Sequence, residues 1–175
     1  IAARMTAAEL LKTADENVLT MIFSAYGEVR NAKTLAKQIV HRRNTVSLNE
    51  IGDFIHLIAP VIMGSRNKYL AQVFQALRIA VNEEMEALKT FLTEAYDVLK
   101  PGGIMAMISF HSLEDRLVKN FFKYGNFEGE LVRDKFGKSQ PIFELINKKP
   151  ITATATELER NSRARSAKLR AAMKK

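Results

Sequence analysis

The spacing of apolar residues changes at Lys100-Pro101-Gly102-Gly103, and this change limits the possible folds more than any other feature. Before it, apolar residues from Tyr69 to Leu99 recur at spacings of three, four and seven, which predicts one amphipathic helix or two in sequence. After it, Ile104 to Phe110 is apolar on both alternating faces, the pattern of a strand buried on both sides of a parallel sheet. The sequence therefore predicts a helical first part followed by an α/β unit.

Helix starts in the first part carry capping boxes, in which a Ser or Thr side chain accepts from a backbone N–H and a Glu three residues later reaches back. Thr6-x-x-Glu9 and Ser47-x-x-Glu50 fit this pattern. Gly27 is placed to end a helix over about 15–26 as a left-handed residue, and Pro60 stops or bends the helix that Ser47 begins. These short helices need one another to bury their apolar sides, so they predict a compact bundle.

The segments after the strand are shorter. Ser112-x-x-Asp115 predicts a weaker cap for a following helix, Ile142 to Ile146 predicts another strand, and Thr156-x-x-Glu159 predicts a short helical turn. Residues 165–173 alternate apolar and basic side chains, the period of a half-buried strand, yet Ala, Lys and Arg are good helix formers. The residues alone leave strand and helix open for this last segment.

Positive charge is concentrated at the carboxyl-terminal end. The chain has 27 Lys and Arg against 19 Asp and Glu, a formal net charge of +8, and residues 148–175 hold nine basic residues against two acidic ones. Neutralising phosphates and releasing their counterions would favour nucleic-acid binding by such a segment. The alternative is a solvated basic end without a specific partner.

Several classes of protein are excluded by composition. The chain has no Cys, which excludes disulfide scaffolds, thiolate zinc sites and Cys nucleophiles. Its three His, at positions 41, 56 and 111, are too scattered to predict a metal site. Uncharged stretches such as 54–64 and 101–113 are shorter than the roughly 18 residues of a membrane-spanning helix, so none is predicted.

Three segments combine residues that bear chemistry. Residues 109–116 follow the predicted strand, at the edge where α/β sheets place ligands, and contain hydroxyls, an imidazole, carboxylates and a guanidinium; the alternative is that they cap the next helix. Within 74–84, Arg78 and Asn82 lie one turn apart and are predicted to share a polar surface. Within 161–170, small residues between arginines allow close approach to a phosphate backbone.

In this order, these segments resemble the MraW/RsmH family of S-adenosylmethionine-dependent methyltransferases, which act on the N4 amine of a cytidine in the decoding centre of bacterial small-subunit rRNA. The matching stretches are AYGEVRNAKTLAKQIVHRR (25–43), FQALRIAVNEE (74–84), LKPGGIMAMISFHSLEDRLVKNFF (99–122), KKPIT (148–152) and NSRARSAKLR (161–170). Together they cover most of the chain. The sequence departs from the family at 65–72, where His-Pro-Ala-Thr-Arg is usual, and at Ser162, where Pro is usual.

The resemblance implies an α/β fold, namely part of a class I (Rossmann-like) methyltransferase sheet with an inserted all-helical substrate-recognition domain. Residues 1–67 would form the inserted domain, and 68–175 the carboxyl-terminal part of the methyltransferase domain. The resemblance also makes 103–110 the fifth strand, 142–146 the sixth and 165–173 the antiparallel seventh. It therefore favours strand over helix for the last segment.

The resemblance further implies a cytoplasmic enzyme that methylates the cytidine N4 amine, with small-subunit rRNA or the small ribosomal subunit as partner and with neither a membrane nor a metal involved. The main S-adenosylmethionine-binding motifs are expected upstream of Ile1, so no cofactor-binding residue is assigned in this chain. We therefore expect the 175 residues alone to be inactive and to bind S-adenosylmethionine weakly or not at all.

The resemblance and the residue types together assign the candidate site. Ser109 and His111 are the catalytic candidates, expected to line the pocket of the target cytosine. The candidates for contacts with RNA phosphates are Arg42, Arg43, Arg78, Arg163, Arg165, Lys168 and Arg170. Two other classes of function remain open: a non-catalytic basic RNA-binding module, and a helical interaction protein whose basic end is solvated.

Overall fold

The computed structural model describes residues 5–131 and 141–175, and the chain divides into two compact units, Ile1–Glu84 and Met85–Lys175. The first part contains α1 (Ala7–Thr13), α2 (Glu16–Ala25), α3 (Ala32–Arg42), α4 (Ile51–Ile58), a 3-10 turn (Ala59–Val61) and α5 (Arg66–Asn82). The elements that follow are α6 (Glu84–Val98), β1 (Ile104–Ser109), α7 (Ser112–Tyr124), β2 (Phe143–Leu145), β3 (Ile151–Thr152), α8 (Ala155–Arg160), a 3-10 helix (Ser162–Ser166) and β4 (Lys168–Lys174). Within the described ranges, no helix has both the length and the apolar character needed to cross a lipid bilayer.

The first unit is a helical bundle around one apolar core. The Thr6 side chain accepts from the backbone N–H of Glu9, whose carboxylate accepts from the backbone N–H of Thr6, so the predicted capping box of α1 is confirmed. Helices α2 and α3 turn their fully buried side chains, including Phe23, Leu35 and Ile39, toward each other. Pro60 lies in the 3-10 turn that follows α4, which confirms that the last turn of this helix is altered there.

The predicted capping box of α4 is wrong. This helix begins only at Ile51, and the Ser47 hydroxyl instead accepts from the backbone N–H of Asn49. Ser and Thr side chains favour such local turns as readily as helix caps, and the two uses share the same sequence pattern.

The role predicted for Gly27 is also wrong. The residue after α2 with a left-handed backbone is Glu28, with φ of 51°. Gly27 is required by close packing instead, because an added Cβ would lie 2.8 Å from the carbonyl oxygen of Gln72 and 2.9 Å from that of Phe23.

The long amphipathic stretch is confirmed as two helices in sequence. Helix α5 ends where Glu83 adopts a left-handed conformation, with φ of 51°, and α6 begins at the next residue. The boundary between the two compact units follows Glu84 in the sequence, so α5 belongs to the helical bundle. The functional division predicted between residues 67 and 68 stays a prediction.

The second unit is built on a small sheet with β4 at its centre. Strand β4 pairs antiparallel with β1, β2 and β3, in the order β1-β4-β2, so β1 and β2 run parallel to each other. The strand interpretation of the last segment is therefore confirmed. Among the described residues, the outer edge of β1 has no partner strand.

The two faces of this sheet have different surroundings. On the inner face, Met105, Phe143 and Ala172 are buried against apolar side chains of α6 and α7. On the outer face, Ile104 and Ile108 are 60% and 59% exposed. The prediction of a strand buried on both faces is thus wrong for β1, because both packed helices lie on the same side.

Candidate functional site

The tip of β1 leads directly into α7, and His111 joins the two elements. Its Nδ1 accepts from the backbone N–H of Glu114 at 3.3 Å, while the Glu114 carboxylate accepts from the backbone N–H groups of Phe110, at 2.8 Å, and His111, at 3.3 Å. The predicted cap on Ser112 is therefore wrong by one residue. A His side chain in this position satisfies the first turn of α7 as a Ser would.

This cap also determines what the imidazole of His111 can do. Because Nδ1 accepts a hydrogen bond, the neutral ring carries its proton on Nε2. Nε2 is buried, lies 3.3 Å from Oε1 of Glu114, and makes no well-aligned hydrogen bond within the described residues. With both nitrogens facing Glu114, His111 orients the tip, and its proposed catalytic role stays a prediction.

Ser109, the last residue of β1, is 4% exposed, and its hydroxyl donates to the carbonyl oxygen of Lys168 at 3.4 Å. Phe110, between the two catalytic candidates, is 56% exposed. Phe110 is thus the large side chain that the tip presents to solvent. The sequence analysis missed it, although the alternation along β1 places it on the outer face with Ile108.

Below the tip, one buried carboxylate joins α7 to β4. Asp115 accepts from Nε of Arg170 at 2.7 Å, from a second guanidinium nitrogen of Arg170 at 3.2 Å, and from Nζ of Lys168 at 3.2 Å. Burial raises the pKa of Asp115, but the hydrogen bonds and charges of Arg170 and Lys168 outweigh it and hold that pKa below its usual value. Arg170 is only 8% exposed, so its guanidinium serves this ion pair.

The other residues of the basic carboxyl-terminal segment are placed differently. Arg163 and Arg165 are exposed in the 3-10 helix before β4, while Ala164 between them is buried. The Asn161 side chain accepts from the backbone N–H of Arg163, which fixes the start of this turn. The predicted phosphate contacts thus divide into two outward arginines and two β4 residues bound to Asp115, and they stay a prediction.

In the helical unit, the three basic candidates also differ. Arg42 is exposed, whereas the guanidinium of Arg43 donates to the carbonyl oxygens of Leu11 and Ala14 at the end of α1. The structure brings Arg78 and Asn82 together through a shared partner. Glu84 accepts from Arg78 at 2.9 and 3.0 Å, and from Asn82 at 3.3 Å.

Each unit contains a cavity that the sequence analysis did not identify. In the helical unit, a cavity of about 420 Å³ is lined mainly by apolar side chains, with Arg78 and Asn82 among its polar ones. In the second unit, a cavity of about 300 Å³ lies between α7 and the end of β2 and is lined by basic side chains. The i, i+4 spacing of Lys119 and Lys123 was the available signal for the second cavity.

Comparison with known proteins covers the whole chain. The MraW methylase family matches residues 1–175. A protein of Bacteroides thetaiotaomicron named ribosomal RNA small subunit methyltransferase H is 51% identical over 174 residues, which are 99% of this chain and 57% of that protein. Proteins of the same name from Parabacteroides distasonis and Cytophaga hutchinsonii are 49% and 48% identical over 98% and 95% of this chain, and over 57% and 56% of their own lengths. The chain thus spans little more than half the length of these curated relatives.

Proposed function

The chain belongs to the MraW methylase family, and on that premise we propose that the whole protein transfers a methyl group from S-adenosylmethionine to the N4 amine of a cytidine in small-subunit rRNA. The observation that carries this proposal is the 51% identity, over 99% of the chain, with a relative named ribosomal RNA small subunit methyltransferase H. The basic carboxyl-terminal segment supports an RNA substrate. We propose that the protein acts in the cytoplasm, on free small-subunit rRNA or on the small ribosomal subunit.

The proposed fold is part of a class I methyltransferase sheet with an inserted helical substrate-recognition domain at 1–67. The strand order β1-β4-β2, with β4 antiparallel, supports this, because the family resemblance assigns these strands as fifth, seventh and sixth. The apolar outer face of β1 also supports it, since sheets of α/β proteins are covered on both faces.

The basic cavity of the second unit does not fit S-adenosylmethionine. The cofactor carries a sulfonium, an ammonium and one carboxylate and is therefore a cation overall, whereas this cavity is lined by Lys119, Lys123, Lys148 and Arg170, with no acidic side chain among its described lining residues. Cations repel one another in a partly enclosed site. We therefore propose that the cofactor is held mainly by residues beyond these 175.

The proposed role of this chain is to bind and position the RNA. The cytosine amine is a weak nucleophile because its lone pair is delocalised into the ring, so its reaction depends on positioning and desolvation. Phe110 offers an exposed ring on which an unstacked base can stack, and Ser109 and His111 hold the backbone on either side of it. Arg163 and Arg165 extend outward as proposed phosphate ligands.

A non-catalytic RNA-binding module is the second candidate function, favoured by the basic cavity that does not fit the cofactor. Both candidates bind RNA, but only the first transfers a methyl group. The discriminating measurement is incorporation of labelled methyl from S-adenosylmethionine into small ribosomal subunits by the full-length protein, followed by nuclease digestion and mass spectrometry of the nucleosides. The absence of N4-methylated cytidine would overturn the enzyme proposal.

The role of Phe110 is tested in the same assay. We expect Phe110→Ala to lower kcat/KM about 5- to 150-fold, because stacking of one base on an aromatic ring contributes about 1–3 kcal/mol. Phe110→Tyr, which keeps the ring, should retain activity. Phe91→Ala is the matched control, because Phe91 is 50% exposed on α6 and has no proposed role. Equal losses in Phe110→Ala and Phe91→Ala would contradict the stacking role.

A further inference from the structure

The basic cavity of the second unit is formed by two elements that are distant in the sequence. Helix α7 contributes Lys119 and Lys123, one turn apart, with the fully buried Phe122 between them. The segment that follows β2 contributes Asn147 and Lys148. The resulting space of about 300 Å³ is large enough for a phosphate group with part of its attached backbone.

The wall opposite α7 is held firmly in place. The Asn147 side chain donates to the carbonyl oxygens of Lys149, at 2.7 Å, and Leu169, at 3.1 Å, and accepts from the backbone N–H of Ala171 at 2.6 Å. These three bonds tie the segment after β2 to β4. They fix the backbone that bears Lys148 before any ligand binds, which lowers the entropy lost on binding.

The charges that line this cavity are of one sign. Lys119 and Lys148 have no carboxylate partner among the described residues, and Nζ of Lys123 lies 4.8 Å from the ring centre of Tyr124. The fourth cation, Arg170, is already paired with Asp115. Three lysines line this cavity with no carboxylate among its described lining residues, so the site favours a ligand that carries negative charge.

The cavity lies beside the part of β4 that pairs with β2. Leu145, which lines the cavity, is opposite Ala172 of β4, whereas Ser109 at the tip of β1 is opposite Lys168. Four residues of β4 separate these two levels, about 13 Å along the strand. The cavity is therefore a site separate from the tip of β1.

We propose that this cavity binds a backbone phosphate of the RNA substrate. This inference rests on the proposed function, and it adds Lys119, Lys123 and Lys148 to the RNA-binding surface. Lysine ammonium groups bind phosphates as point charges and position the strand without reading its sequence. The site thus orients the substrate, whichever bases flank the target.

The test compares two variants that each lose two positive charges. Lys119→Gln with Lys148→Gln removes two of the three lysine charges of the cavity and leaves that of Lys123; both substituted side chains are exposed, so the fold is retained. Lys100→Gln with Lys175→Gln is the matched control, because these exposed lysines do not line the cavity. The probe is a fluorescein-labelled RNA hairpin copied from the decoding region of small-subunit rRNA, with binding followed by fluorescence anisotropy at several NaCl concentrations.

The cavity variant should bind the hairpin at least about tenfold more weakly, and the slope of log K against log[NaCl] should fall by about 0.7, the value for one released phosphate contact on a single strand. The control should keep the wild-type slope. Equal slopes in the two variants would overturn the phosphate site while leaving the proposed function intact. Inorganic pyrophosphate that displaces the RNA at constant ionic strength would reassign the cavity to a small free anion.

Failure of the proposed function has a different signature. If the wild-type chain binds the hairpin without salt dependence and the full-length protein methylates no cytidine, both the function and the cavity inference are wrong. If the full-length protein methylates rRNA and its cavity variant shows an unchanged KM, only the cavity inference is wrong. Lys148→Arg, which preserves the charge, should bind the hairpin with nearly the wild-type affinity.

Discussion

The helical unit and the mixed unit differ in how completely they bury their apolar residues. The helical unit closes around its own core, with Leu19, Phe23 and Ile39 fully buried. The mixed unit buries one face of its sheet and leaves Ile104 and Ile108 on the other face exposed. Helices packed in a bundle bury one another's apolar sides, whereas a sheet needs a separate packed layer on each of its two faces. Apolar patterning alone therefore predicts each helix or strand, but not whether other elements of this chain bury its apolar face.

In the mixed unit, a buried ion pair joins α7 to β4. Removing its carboxylate should have the largest effect on the free energy of unfolding. In Asp115→Asn, the buried guanidinium of Arg170 loses its charged partner. We expect the free energy of unfolding to fall by about 3–5 kcal/mol, as when one member of a buried ion pair is removed. Urea unfolding followed by circular dichroism measures this loss.

The control for Asp115→Asn is Glu86→Gln, which breaks the exposed pair between Glu86 and Lys89 on α6. Exposed pairs contribute little, so this variant should lose no more than about 1 kcal/mol. A similar cost for both substitutions would mean that the link between α7 and β4 is no more important than a surface contact.

The dependence on pH gives the same prediction a second readout. Because the pKa of Asp115 is lowered in the folded chain, its ionised form is favoured by folding. That stabilisation is complete above the pKa of the unfolded carboxyl, about 3.9, and is lost as the pH falls through the lower folded value. Below about pH 4, the wild-type chain should therefore lose stability more steeply than Asp115→Asn.

Two glycines of the helical unit test how tightly its helices pack. In Gly27→Ala, the new Cβ would meet the carbonyl oxygens of Gln72 and Phe23, which belong to backbone that cannot move aside locally, so the cost should be about 1–3 kcal/mol. In Gly52→Ala, the Cβ meets nothing within 4 Å, and Ala should stabilise α4 by about 0.5–1 kcal/mol. Thermal unfolding of the two variants should shift in opposite directions. A gain in Gly27→Ala would show that the bundle packs less tightly there than the structure indicates.

Local signals in the sequence predicted local structure well. The capping box at Thr6, the change of period at residues 100–103 and the two-helix stretch after residue 64 are all present in the structure. Each depends on residues within a few positions of one another, where spacing and turn chemistry decide the outcome. The caps of α4, α7 and α8 were misplaced, since Thr154 rather than Thr156 caps α8. Several nearby polar side chains can serve as caps, and packing selects among them.

The candidate site depended on contacts that no local signal reveals. Arg170 and Asp115 lie 55 residues apart in the sequence, so their ion pair could not be read from spacing, and Arg170 looked like one more basic residue of the carboxyl-terminal segment. The basic cavity likewise needs α7 and the segment after β2 to meet. The resemblance to a known family supplied the strand assignment of residues 165–173, which propensity and period left open.

The smallest expected effect tests the difference between the two sheet faces directly. Ile108→Thr replaces one β-branched residue by another on the exposed face, so it should change the free energy of unfolding by no more than about 0.5 kcal/mol. Met105→Thr, on the inner face of the same strand, should cost at least about 2 kcal/mol, because it removes buried apolar volume and places a hydroxyl in the core.

Denaturant unfolding at several protein concentrations separates the possible outcomes for Ile108→Thr. A cost that is small at every concentration means that solvent covers the outer face in this chain. A cost that grows with concentration means that copies of the chain associate through this face, since association stabilises the folded state by mass action. A large cost independent of concentration would contradict the comparison itself, because Ile108 would then be packed within the chain as firmly as Met105.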